Sequence, residues 1–232
     1  MPKFKEAWKT YGNVFDEFTL RVLFKLSSDG HFDEMGGSIS IGKEANVFTA
    51  YKGNEKVVIK IYRVSSCDFN RMFDYIKADP RYLGLRKHKR KIIFAWAQRE
   101  YRNLLKAREA GVSVPTPIAR NNHVLVLEYI GDSNPSPLIK DCKPEYPVDF
   151  CNRIIDNMVK MKEAGLVHGD LSQFNILNHH EKPVFIDFSQ CNLIQSPIAS
   201  DLLKRDIKNI AHYCKKVGTK ISEDQIRKRL RE

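Results

Sequence analysis

Apolar residues recur along this chain with two different periods, and the change of period divides it. Phe15, Phe18, Val22 and Leu26 stand at helical spacing and predict a helix over 13–26, ended by Ser27-Ser28-Asp29-Gly30. Val47-Phe48-Thr49-Ala50-Tyr51 and Val57-Val58-Ile59-Lys60-Ile61-Tyr62 are β-branched and aromatic, and Gly53-Asn54 between them predicts a strand hairpin. Residues 63–91 are polar, end in the basic run Arg86-Lys87-His88-Lys89-Arg90-Lys91, and are expected to be partly mobile. A long helix over 91–110 is closed by Gly111. Residues 118–120 and 124–127 flank an Asn121-Asn122 turn, and a proline-rich connection fills 131–147. Phe150, Ile154, Met158 and Met161 then mark a helix capped by Gly165, and Val184-Phe185-Ile186 a short buried strand. Leu202, Leu203, Ile207, Ile210 and Cys214 mark a further helix, and Ser222 with Gln225 supplies the capping box of a last one. Strands dominate before residue 130 and helices after it, which predicts two lobes with a cleft between them.

Composition narrows the class. A chain of 232 residues, 42% hydrophobic and 29% charged, is neither disordered nor fibrous. No apolar run approaches the roughly 18 residues that span a bilayer, so no membrane partner is expected. The first residues, Met1-Pro2-Lys3-Phe4-Lys5-Glu6, lack an apolar signal core, and the five cysteines contain no C-x-x-C pair. A cytoplasmic protein without disulfide framework or zinc site is expected. Lys and Arg number 39 against 28 Asp and Glu, a net charge of +11. Such an excess favours phosphate-rich partners, although plain solubility accounts for it equally well.

Three constellations carry chemistry. Gly37-Ser38-Ile39-Ser40-Ile41-Gly42-Lys43 has the start of a phosphate-binding P-loop, but Glu44 stands where Ser or Thr would hold Mg²⁺, and a hairpin follows where a helix is required. A glycine turn between strands can still cover phosphates with backbone N–H groups; an ordinary hairpin turn explains it as well. Lys60 lies on the strand face of Val58 and Tyr62, opposite Val57, Ile59 and Ile61. It either runs along a sheet edge or aims into a site. At about 100° per residue, Glu100 falls on the apolar helix stripe of Ile93, Trp96, Ala97, Leu104 and Ala107. A lone carboxylate there costs several kcal/mol and requires a cation, for which Lys60 is the natural candidate.

The strongest signal is Val167-His168-Gly169-Asp170-Leu171-Ser172-Gln173-Phe174-Asn175, followed by Val184-Phe185-Ile186-Asp187-Phe188-Ser189. The first stretch has the H-x-D-x-x-x-x-N spacing of a kinase catalytic loop. Phosphoryl transfer uses one carboxylate to position or deprotonate a nucleophile, and a second carboxylate with an amide oxygen to hold Mg²⁺. A chance turn rich in Asp and Asn does not explain Lys, Glu, Asp, Asn and Asp in that order. His168 and Asp206 read as structural residues. His179 and His180 read as an exposed turn, with rings pointing apart rather than sharing a metal.

In this order and spacing the chain resembles the RIO family of atypical serine/threonine protein kinases, close to its type-one branch. The matching pieces are Gly42-Lys43-Glu44-Ala45-Asn46-Val47, Val58-Ile59-Lys60-Ile61-Tyr62, Trp96-Ala97-Gln98-Arg99-Glu100, Gly111-Val112-Ser113-Val114-Pro115, the His168–Asn175 loop and Ile186-Asp187-Phe188-Ser189-Gln190. The resemblance implies an α+β, bilobal protein-kinase-like fold over 1–232. Short helices over 1–37 would lead into an antiparallel-sheet upper lobe over 38–127, with a hinge at 128–131 and a mainly helical lower lobe over 132–232. No Ala-Pro-Glu motif is present, so the usual activation and substrate segments are expected to be missing. By the same resemblance, ATP would meet Ile41, Gly42, Lys43, Val47, Lys60 and Glu100, with adenine on the backbone of Glu128 and Ile130. Asp170 would be the catalytic base, Asn175 and Asp187 the ligands of Mg²⁺ or Mn²⁺, and Asp187 a site of aspartyl-phosphate formation. The implied activity is an autophosphorylating protein kinase and ATPase acting on a pre-40S/30S-type ribosomal particle or its RNA. A small-molecule phosphotransferase of the aminoglycoside or choline type, and a nucleotide-switched RNA-binding factor, remain as alternatives.

Overall fold

The computed structural model describes residues 15–64 and 67–231. Helix α1 (Glu17–Ser28) is capped by Asp16, whose side chain accepts from Thr19 N at 2.7 Å. The expected start at Asn13 lies outside the described residues. Strands β1 (Glu34–Ile41), β2 (Ala45–Lys52), β3 (Glu55–Tyr62), β4 (Pro117–Asn121) and β5 (Val124–Glu128) form an antiparallel sheet in the order β1-β2-β3-β5-β4. β1 corrects the expectation that residues up to 37 are helical. Gly36 and Gly37 sit inside it, and its register with β2 shifts on either side of Ser38. The glycines and serines hide a strand because they supply no apolar alternation, and most of β1 is exposed. The tight turn is confined to Gly42-Lys43-Glu44, where Gly42 N donates to Ala45 O at 3.0 Å. A Cβ at Gly42 would stand 2.8 Å from that oxygen, so only glycine closes the turn without displacing β2.

Alternation along β3 decides which side chains meet which layer. Val57, Ile59 and Ile61 pack under α1 with Phe48, Ala50, Val124 and Val126, while Val58, Lys60 and Tyr62 face the other way. The 63–91 stretch is more structured than expected. It contains helix α2 (Phe69–Lys77), capped by Asp68 and seated by Met72 and Ile76, and a 3₁₀ turn at Pro80–Tyr82. Only two of nine α2 residues are buried, too few for a visible stripe. Helix α3 (Lys89–Glu109) then crosses the second face of the sheet; its first turn takes in the end of the basic run, which stays exposed.

The lower lobe is built from α4 (Pro147–Glu163), β6 (Leu166–Val167), β7 (Ile176–His179), β8 (Lys182–Phe185), β9 (Asn192–Leu193), α5 (Ala199–Lys216) and α6 (Glu223–Leu230). β6 pairs with β9 and β7 with β8. The capping box is present: Ser222 N donates to Gln225 Oε1 at 2.9 Å and Gln225 N to Ser222 Oγ at 3.3 Å. One continuous core runs from Tyr62 and α3 through Leu125 and Leu127 into α4, α5 and α6. Among the described residues no helix is long and apolar enough to cross a membrane.

Candidate active site

The β7–β8 hairpin explains how distant residues meet. Asn175 precedes β7 and Ile186 follows β8, so antiparallel pairing of Ile176 with Phe185 sets them side by side; Ile186 N donates to Asn175 O at 3.0 Å. Asp187 is the next residue. It adopts φ 60° and ψ 71°, a left-handed conformation that Asp tolerates better than most residues and that signals local constraint. The constraint comes from α3. Arg99 Nη1 donates to Ser189 O at 3.0 Å, and Asn103 Nδ2 donates to Phe188 O at 3.2 Å and to Cys191 O at 2.8 Å.

Lys60 reaches this point from the sheet. Its ammonium donates to Glu100 Oε1 at 2.7 Å and to Asp187 Oδ1 at 3.1 Å. Tyr62 Oη donates to the other Glu100 oxygen. The pair inferred from strand and helix faces is therefore present, extended by a third member. Burial lowers the lysine, but the Asp187 and Glu100 carboxylates outweigh it and hold Lys60 above its ordinary value. Burial likewise pushes Glu100 up more than Lys60 pulls it down. Asp187 behaves oppositely: burial pushes it up, and the Lys60 charge with bonds from Ser189 and Lys60 brings it down to about 2. An ammonium has three N–H groups, and the third has no hydrogen-bond partner among the described residues.

Below lies the loop after β6. Asp206 of α5 accepts from Gly169 N and Leu171 N, both at 2.8 Å, which fixes the backbone on each side of Asp170. Burial, only partly offset by those two bonds, raises the Asp206 carboxyl to about 7. Gly169 is needed here: φ is +78°, and an added Cβ would stand 2.9 Å from Gln190 O. Asn175 Nδ2 donates to Asp170 O at 2.7 Å and to Asp170 Oδ2 at 3.2 Å, and Gln190 Nε2 donates to the same Oδ2 at 3.1 Å. Burial first, then the Asp187 charge, raises the Asp170 carboxyl. His168 is buried against Phe188 with Nε2 3.1 Å from Ile186 O, and burial lowers it to about 4, so it is neutral and structural.

The oxygens suit a hard cation. Asn175 spends its NH₂ group on Asp170, which leaves Oδ1 turned to the other side, and Asp187 is 41% exposed at its side chain. One carboxylate and one amide oxygen form a partial ligand set of the kind that Mg²⁺ completes with phosphate oxygens and water. No group of three or more His, Cys, Asp or Glu that would hold a metal unaided occurs among the described residues.

The remaining expected contacts are less tightly gathered. Val47 lies directly across the sheet from Lys60. Ile41 is 63% exposed at the end of β1, and Gly42 and Lys43 follow in the turn. Glu128 ends β5 with its N–H on Thr116 O at 2.8 Å, and Ile130 O accepts from Ser136 N at 2.9 Å, so two of the four backbone groups expected to meet adenine are already engaged. Glu44, noticed in the sequence only as the wrong residue for a P-loop, faces the site. Its carboxyl is raised by burial and then by the Asp187 charge, and it also feels Lys60, Arg71 and Asp170. The two histidines stand at an exposed turn as expected, but their rings do not point apart: the centroids lie 4.3 Å from each other, His179 bonded to Ser136 Oγ and His180 beside Asp132. His180 has left the strand at φ 49°, so strand alternation does not separate them.

The sequence matches the RIO domain over residues 46–226. It is 43% identical over 213 residues to the RIO-type serine/threonine-protein kinase Rio1 of Methanocaldococcus jannaschii, covering 91% of this chain and 73% of that protein. It is 38% identical over 223 residues to Rio1 of Haloferax volcanii, covering 95% and 77%. The human serine/threonine-protein kinase RIO1 is 36% identical over 211 residues, but only 37% of its length is matched. Among solved structures, the Rio2 kinase from Chaetomium thermophilum shares the fold with a TM-score of 0.68 at 19% identity, over 90% of this chain and 66% of that one. The same organism's Rio2 in complex with ADP, Mg²⁺ and phosphoaspartate gives 0.63 at 20%, over 90% and 69%. The chain spans about two thirds of those two structures. With the two-lobed fold and the ordered acids already described, these similarities show that the chain belongs to the RIO family, in its Rio1 group of serine/threonine-protein kinases.

Proposed function

We propose that the cleft binds ATP with Mg²⁺ and that the chain transfers or hydrolyses the γ-phosphoryl group. The observation that carries this reading is the junction of Lys60 with Glu100 at 2.7 Å and Asp187 at 3.1 Å, next to the Asp170–Asn175 loop. Lys60 would present its third N–H to the phosphates, with Glu100 fixing the ammonium. Ile41, Gly42 and Lys43 would cover the phosphates, Val47 the base, and Glu128 and Ile130 its edge. Asn175 Oδ1 and the Asp187 carboxylate would hold the cation, which when bound neutralises charge on the β- and γ-oxygens. Asp170 would orient and deprotonate the attacking hydroxyl or water; a carboxyl raised by burial is the better base for that task.

Only residues 188–198 separate Asp187 from α5, and they fold as a 3₁₀ turn and the short β9. That leaves little surface for a long peptide and supports autophosphorylation and ATPase turnover, with Asp187 as the phosphoryl acceptor. The phosphoaspartate complex of the Rio2 neighbour supports the same reading. The net charge of +11 supports a preribosomal particle or its RNA as partner. The test is ATP turnover and autophosphorylation by Asp170→Ala and Asp187→Ala. Loss of about 10²–10³ in kcat is expected for each; turnover that survives both contradicts the assignment.

A further inference from the structure

We propose that Arg71 and Gln190 form a relay across the cleft that positions the Asp170 carboxylate; the proposal rests on Asp170 being the base. Asp170 is held through one oxygen. Oδ2 accepts from Asn175 Nδ2 at 3.2 Å and from Gln190 Nε2 at 3.1 Å, whereas Oδ1 has no hydrogen-bond partner among the described residues. The carboxylate is thereby anchored on its inner edge with its outer oxygen offered to the cleft. Whether Gln190 helps depends on which end of its amide meets Asp170. With nitrogen inward it donates; with oxygen inward two acceptors face each other and the carboxylate is pushed away.

Arg71 decides that orientation. Its Nη2 donates to Gln190 Oε1 at 3.2 Å, and a guanidinium has donors only, so the amide oxygen is drawn to Arg71 and the nitrogen is left for Asp170. The two ends differ in how firmly they are held. Gln190 is 7% exposed and sits in the 3₁₀ turn at Phe188–Gln190, where its own carbonyl accepts from Asn192 Nδ2 at 2.9 Å. Arg71 is exposed on the first turn of α2, in the connection between β3 and α3. Its side chain spans from the upper lobe to the lower, so the amide is set only when the two lobes are at this separation. Lys60 with Asp187 links the lobes at the phosphate side; Arg71 with Gln190 links them at the base. Arg71 and Gln190 are positioning residues, acting on the reaction through Asp170.

The test measures steady-state ATP turnover and melting temperature of the full chain for wild type, Arg71→Ala, Arg71→Lys, Gln190→Ala, the Arg71→Ala/Gln190→Ala double variant and Asp170→Ala. Each alanine variant is expected to lose about tenfold or more in kcat with KM for ATP unchanged, and lysine at 71 to restore part of the loss. The double variant should be no slower than Gln190→Ala alone, because Arg71 acts through Gln190. Wild-type kcat in Arg71→Ala, a loss carried by KM, or additive losses in the double variant would each overturn the relay. If Gln190→Ala melts below the assay temperature, kcat of Arg71→Ala decides, since that side chain is exposed. An inactive Asp170→Ala beside fully active Arg71 and Gln190 variants sinks the relay alone. An active Asp170→Ala sinks the base assignment and the relay together.

Discussion

Helix α3 carries two buried polar networks, anchored on the adjacent residues Arg99 and Glu100, and they differ in what they leave open. Around Glu100, the network ends in Lys60, with one N–H unused among the described residues, and in Asp187, whose side chain is 41% exposed. Around Arg99, Asp79 accepts from Arg81 and Arg99, and Arg99 and Asn103 clamp the carbonyls of Ser189, Phe188 and Cys191. The Asp79 and Arg99 side chains are both fully buried, and among the described residues only Nη2 of the Arg99 nitrogens lacks a partner. Both networks bring charges out of water at a cost that only good geometry offsets. The first retains a place for a charged ligand. The second has none and acts as a bolt between α3 and the segment that carries Asp187 and Gln190. A buried ion pair is therefore not by itself a sign of function; an exposed, incompletely bonded member is.

Substitutions that remove one cation from each network break the comparison most directly. Lys60→Met should lower kcat for ATP by more than about a hundredfold, and should cost about 3 kcal/mol by leaving Glu100 buried without its cation. Arg99→Met should cost a similar about 3 kcal/mol, read as a fall of several degrees in melting temperature, while keeping much more activity below the melt than Lys60→Met. Equal activity losses in the two variants would show that the networks are not divided as described.

A third buried group sharpens the contrast with the smallest effect. His123 is fully buried between Phe18 and Phe94; among the described residues it is bonded only through Nε2 to Thr19 Oγ1 at 3.0 Å, with Nδ1 unpartnered. Burial lowers it to about 4, with Asp16 opposing and Arg90 adding to the shift. A folded value below the unfolded 6.5 means that the native state binds fewer protons in between. The stability is therefore fully present above about 6.5 and is lost as pH falls towards about 4. His123→Phe should change stability by less than about 1 kcal/mol at pH 7 and should make the acid decline in melting temperature shallower. An unchanged decline would place the acid sensitivity elsewhere, His168 being the next buried imidazole.

The sequence made the first network legible and hid the second for one reason. Lys60 and Glu100 interrupt apolar stripes, so each announces a burial that needs a partner, and Asp170, Asn175 and Asp187 stand at fixed spacings on one loop and one strand end. Arg99 and Asn103 sit beside that stripe, where a polar side chain normally means solvent; apart from Asp79 and Arg81, twenty or more residues away, their partners are backbone carbonyls, which have no sequence signature. Strand β1 escaped because its glycines and serines break the alternation, and α2 because two buried residues do not make a stripe. Glu44 and Arg71 reach the cleft through tertiary placement alone, from a tight turn and an exposed helix face.

The most direct single measurement is a crystal structure of the chain with a non-hydrolysable ATP analogue and Mg²⁺. A γ-phosphate in contact with the Lys60 ammonium, and a cation bonded at about 2.1 Å to oxygens of Asn175 and Asp187, is the predicted result. A triphosphate bound away from these side chains, or a cation held by neither, would contradict it.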